Sequence, residues 1–108
     1  MKFLRLGIQD SEAVITGYRR PTGYQQIVNP LSATALTLPT PPPGFANNFV
    51  VIQCNGGAVR WRDDSIDPTA TIGMTIPDGG ELDYVGDLSK IKFIAASGTP
   101  IIDVSVYT

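Results

Sequence analysis

The chain has 108 residues, 43% of them apolar and 17% charged, which fits one globular domain with one core and is unlike a disordered sequence. Eight basic against ten acidic residues give a formal charge of −2, so no net field draws the chain to nucleic acid or to an anionic membrane. Histidine is absent and Cys54 is alone, which removes His-based triads, imidazole ligands, an internal disulfide and Cys-rich zinc sites.

The N-terminal "MKFLRLGIQD" is too short and too charged for a signal-peptide core, and no apolar run approaches the ~20 residues that cross a bilayer. The expectation is a soluble protein without an export signal of its own. "GYRRPTGY", Gly17 to Tyr24, is basic, aromatic and broken by Pro21 and Gly23. Residues 1–25 therefore read as an N-terminal arm or edge hairpin, and 26–108 as the main domain.

Beyond the arm the apolar period is two. "ATALTL" sets Thr34, Leu36 and Leu38 against Ala33, Ala35 and Thr37. "KIKFIA" sets Ile91, Phe93 and Ala95 on one face, and the C-terminal run does the same with Ile102, Val104 and Val106. Such alternation marks strands buried on one side, and no window carries a helical stripe. Strands are predicted near 13–18, 24–29, 33–38, 48–54, 58–62, 72–76, 81–85, 90–95 and 101–107. "PTPPPGF", Pro39 to Phe45, is read as a stiff polyproline-like connection, since proline removes backbone donors and fixes φ. Asn55-Gly56-Gly57 and Asp78-Gly79-Gly80 are read as hairpin turns, and Ser97-Gly98-Thr99-Pro100 as a further turn. The fold class expected is all-β: a jelly-roll-like β-sandwich of eight or nine short antiparallel strands with an N-terminal arm.

The densest chemistry lies in "RWRDDSID", Arg60 to Asp67. Alternation puts Arg60 and Arg62 on one face and Trp61 with Val59 on the other, so Trp61 is expected in the core. Asp63, Asp64 and Asp67 offer oxygens to a hard cation, but the glycine and distal glutamate of a calcium-binding EF-hand loop are missing. Carboxylates adjacent at a hairpin end cannot face each other across a cleft, and Ser89-Lys90 should diverge on its strand. The residues thus predict no enzyme, no metal and no cofactor, and offer the corner as a turn and a contact surface.

Three segments carry a resemblance: "IQCNGGAVRWRDDSIDPTATIGMTI", "GGELDYVGDLSKIKFIAASG" and the closing "VSVYT". Their glycine pair, Arg-aromatic-Arg-Asp-Asp run, Asp-Pro-Thr, Gly-Met pair, acidic-Leu-x-Tyr segment and Leu-Ser-x-Ile-Lys-Phe-Ile strand resemble a family of small tailed-bacteriophage virion proteins. The resemblance covers roughly residues 33–108. It implies a non-enzymatic capsid decoration (cement) protein, made in the host cytoplasm and placed on the outer surface of the virion, where it binds the major capsid protein and bridges capsomers. A homo-oligomer, dimer or trimer, would supply the contact area that one small face lacks, with no nucleic-acid or membrane partner. The contact residues expected are Tyr18, Arg19, Arg20 and Tyr24 in the arm, and Arg60, Arg62, Asp63 and Asp64 at the corner. A neck, tail or fibre-associated position in the virion is the alternative, and a glycan-binding sandwich using Tyr18, Tyr24, Tyr84 or Tyr107 is another. The pattern departs at Ser65-Ile66, where a glycine would be usual, so a positive φ at Ser65 would cost energy.

Overall fold

A computed structural model describes residues 19–108, which form six strands and no helix. They are β1 (Pro21–Val28), β2 (Thr34–Ala35), β3 (Phe49–Arg62), β4 (Met74–Ile76), β5 (Glu81–Val85) and β6 (Lys92–Tyr107). Every pairing is antiparallel. The two long strands, β3 and β6, run side by side and each serves two partners. β1 and β5 flank their first pairing zone, which joins Phe49–Asn55 to Ile101–Tyr107. β2 and β4 flank the second, which joins Gly57–Arg62 to Lys92–Gly98.

The all-β class agrees with the sequence reading, but the punctuation works differently. Asn55-Gly56-Gly57 is not a hairpin turn. It is a bend inside β3, and the expected strands 48–54 and 58–62 are one continuous strand. Ser97-Gly98-Thr99-Pro100 likewise lies within β6, which unites the expected strands 90–95 and 101–107. The pairing slips between Asn55 and Gly57 and again between Ala58 and Val59, so β6 carries the extra residues of two bulges. Gly56 and Gly98 take φ of 91° and 63°, values that an L side chain resists. Contact is closest at Gly57, where a Cβ would come within 2.1 Å of the Ser97 carbonyl oxygen. Pro100 is tolerated in an interior strand because it sits in this irregular stretch, and its own carbonyl accepts from Asn29 N at 2.7 Å.

Inverting the side-chain parity is the consequence of the bend. Before it, β3 buries even positions (Val50, Ile52, Cys54), and after it odd ones (Gly57, Val59). β6 buries Phe93 in its first part but Pro100, Ile102, Val104 and Val106 in its second. Both parts thereby feed one apolar cluster, joined by Ile27, Leu36, Ile76, Leu88 and Ile91. Burial of a Val, Leu, Ile or Phe side chain is worth about 1.5–3 kcal/mol, so this cluster is the main source of stability. Burial pushes the Cys54 thiol up, and its Sγ–H points to the Gly57 carbonyl at 3.1 Å. Cys54 is a core residue.

Two further expectations are corrected. Asp78-Gly79-Gly80 does turn the chain, but β4 and β5 do not pair with each other. Both lie along β3, because the turn steps around the β3 bend: Gly79 N donates to Cys54 O, Cys54 N to Gly80 O, and Gly56 N to Asp78 Oδ1. Of the segment expected as an arm or edge hairpin, the part from Pro21 onward belongs to β1, which pairs with β6 at the end of the sheet order. Of the strand expected at 33–38, Thr34 and Ala35 alone pair, and the chain then runs irregularly through the prolines to Asn48. The strand expected at 13–18 lies outside the described residues.

Candidate functional site: the charged corner

The corner begins where β3 ends. Trp61 points inward as its parity requires, yet it is half-buried at the margin of the core, where its ring meets Tyr84 edge-on at 5.8 Å. On the opposite face Arg60 and Arg62 do different work. Arg60 donates from Nε to the Ala70 carbonyl at 3.2 Å and from a terminal nitrogen to the Gly73 carbonyl at 2.9 Å. It staples the returning loop, residues 63–73, to the strand. Arg62 makes a two-point ion pair with Asp64, Nε to Oδ1 at 2.9 Å and a terminal nitrogen to Oδ2. This pairing holds the Asp64 carboxyl below the usual carboxylate range and the Arg62 guanidinium above its ordinary value.

The neighbouring acids turn elsewhere. Asp63 accepts the Tyr84 hydroxyl at 2.6 Å, and Asp67 accepts from Lys92 Nζ at 2.9 Å. The three aspartates that looked like a ligand set therefore serve three different partners on β3, β5 and β6. Among the described residues no three acidic or sulfur side chains converge. The bond to Asp63, with partial burial, pushes the Tyr84 phenol up to about 12. Ser65 takes φ of 69°, so the left-handed turn that glycine would make without strain is made here by serine.

These bonds fix a loop whose outside is apolar. Ile66, Ile72 and Met74 are 58%, 57% and 62% exposed. Beside Met74 opens a shallow concavity of about 330 Å³, lined by Arg62, Asp63, Asp64, Gly73 and Met74. Sequence reasoning named the charges of this surface and missed its apolar half, because Ile72 and Met74 fall in a predicted strand and Ile66 in the turn beside the charges.

The residues assigned to the arm are drawn onto the sheet. Arg19 stacks its guanidinium on the Phe49 ring at 4.3 Å and donates to Asn48 Oδ1 at 3.1 Å, and Arg20 stacks on Phe45 at 4.6 Å. Tyr24 lies in β1 and donates its hydroxyl to Asp103 Oδ1 at 2.6 Å, which raises the phenol and lowers the carboxyl from their ordinary values. Tyr18 lies outside the described residues. Arg19, Arg20 and Tyr24 reach β3, the connection before it and β6, whereas Arg60, Arg62, Asp63 and Asp64 cluster where β3 ends; among the described residues no hydrogen bond or ion pair joins the two groups. Comparisons with protein-family models, with curated proteins and with solved structures gave no match.

Proposed function

We propose that the protein is a non-enzymatic structural component of a tailed-bacteriophage virion, a capsid decoration protein that binds the major capsid protein on the outer shell and bridges capsomers. The virion assignment rests on the motif resemblance over residues 33–108. The observation that carries a binding role is the corner itself: exposed Ile66 and Ile72 on a loop held by Arg60 and exposed Met74 at the start of β4, beside a rim of Arg62, Asp63 and Asp64. An apolar centre with a charged margin is the anatomy of a protein interface, and a loop already ordered loses little entropy on docking. The same reading takes the two zones of the sheet, which share one apolar cluster, as the two layers of a jelly-roll-like sandwich.

In this reading the aspartates are not catalytic, because each carboxylate is committed to a neighbour within the chain. Arg62 and Asp64 exchange partners with the shell or remain paired at the rim, where an exposed pair contributes little. A second copy of the chain supplies the remaining contact area, as a dimer or trimer.

Co-sedimentation with empty capsids of the cognate phage tests the proposal. Binding in hundreds of copies per particle, with increased resistance of the shell to heat, is expected. Copy numbers of a few to tens would move the protein to the neck or tail, and absence from particles would end the virion reading. Ile72→Asp together with Met74→Asp should weaken shell binding at least tenfold with little change in melting temperature, since exposed substitutions usually stay within about ±0.5 kcal/mol.

A further inference from the structure

A second concave feature lies on the outward face of the sheet, among residues of β1, β3 and β6. There the side chains opposite the core fall into cross-strand rows. Tyr24 faces Ser105, which faces Val51; one row along, Gln26 faces Asp103, which faces Gln53. Directly opposed side chains in such rows are about 4.5–5.5 Å apart at Cβ. The short side chains Ser105 and Val51 leave a hollow of about 180 Å³, bounded by Tyr24, Tyr107, Gln53 and Asp103.

From the residues that line this hollow, we infer that it is a subsite for a neutral pyranose. Four features select that chemistry. Tyr24 is 66% exposed, so its ring offers an open apolar face beside the hollow, against which the C–H face of a sugar can stack. Asp103 is positioned in advance: Tyr24 and the Gln26 side-chain amide both donate to its Oδ1, at 2.6 and 3.0 Å. Among the described residues no donor reaches Oδ2, which leaves that oxygen to accept from a ligand hydroxyl. Gln53 is held at one end, its Nε2 pointing to Glu81 Oε1 at 3.4 Å, with its carbonyl oxygen unclaimed among the described residues.

The same residues argue against other occupants. A carboxylate with no cation among the lining residues repels phosphate and acidic sugars. A peptide adding itself as a strand needs free backbone groups, and the β3 and β6 backbones here are paired on both sides. The hollow is small and shallow, so it takes a single ring of a larger glycan and binds weakly, in the millimolar range typical of a site with few contacts. The inference is independent of shell binding, which uses the corner.

Titration of the isotope-labelled full chain, followed by NMR, tests it. The neutral probes are glucose, galactose, mannose, rhamnose and N-acetylglucosamine, with sialic acid and inorganic phosphate as anionic controls. At least one neutral sugar should shift the signals of Tyr24, Gln53, Asp103, Ser105 and Tyr107 in a saturable way. Asp103→Asn should weaken that binding by about tenfold, the loss expected for a hydrogen bond to a charged group. Ser105→Tyr, which fills the floor, should abolish it, and both variants should still sediment with capsids if shell binding holds. Absence of saturable shifts with all five neutral sugars overturns the inference, as do shifts of equal size with phosphate or sialic acid. Unchanged affinity in Asp103→Asn does the same.

Discussion

The bend in the two long strands and the charged corner beyond it both read as turns in sequence, and both contain a left-handed residue. They are held by different forces. At the bend the backbone itself is the constraint: Gly56 and Gly98 take positive φ, and Gly57 lies so near the Ser97 carbonyl that no side chain fits. At the corner the backbone is held from outside, by Arg60 on two carbonyls, Tyr84 on Asp63, Arg62 on Asp64 and Lys92 on Asp67. A shape set by excluded volume fails at a single atom. A shape set by several side-chain bonds loses them one at a time, so its outer residues are freer to vary.

Substitution at the bend gives the largest effect. Gly57→Ala should destabilise the fold by about 3 kcal/mol or more, because both β3 and β6 must shift to admit the methyl group. Thermal or urea unfolding would measure it, and a loss below about 1 kcal/mol would show that the bend relaxes easily. Trp61→Ala, at the start of the corner, should cost about 2–3 kcal/mol, less than for a fully enclosed tryptophan, since the ring is half-buried and meets Tyr84 on one edge. A larger loss would place the corner within the core.

Next comes a pH effect. The folded-state phenol of Tyr84 is raised from 10.0 to about 12. Its bond to Asp63 therefore contributes fully below the unfolded value of 10.0 and is lost as pH rises through about 12. Unfolding curves between these values should show stability falling in the wild type, and Tyr84→Phe should remove that part of the slope while lowering stability near neutrality by about 1 kcal/mol. Identical slopes would mean that the bond is not maintained in solution. Ser65→Gly is the smallest change and the one expected to stabilise. Relief of a left-handed serine is worth about 1–2 kcal/mol, partly offset by the greater freedom of glycine when unfolded, for a net gain of roughly 0.5–1 kcal/mol. A loss would show that Ser65 makes a contact worth more than its strain.

Much of the core was legible from alternation alone. Leu36, Ile91, Phe93, Ile102, Val104 and Val106 are buried as their parity demands. The chemistry of the corner was legible as a set of charges, but the partners were not. Asp63 and Tyr84 are 21 positions apart, and Asp67 and Lys92 are 25 apart, so no local spacing announces either pair. Arg60 resembled a free surface cation until the loop carbonyls of Ala70 and Gly73 were seen beneath it. The hollow beside Tyr24 needed three strands in register before its lining residues could be recognised as neighbours.

The sequence by itself determined that this chain forms strands, which of their faces are apolar, and where the backbone must leave the extended path. Those are properties of a residue and its near neighbours: a two-residue period, a missing Cβ, a missing N–H. Whether a glycine reverses a strand or bends it was decided by tertiary structure. Asn-Gly-Gly permits either outcome, and the choice fell to the pairing of β3 with β6 across both zones, which lets the apolar residues on either side of the bend bury themselves in one core.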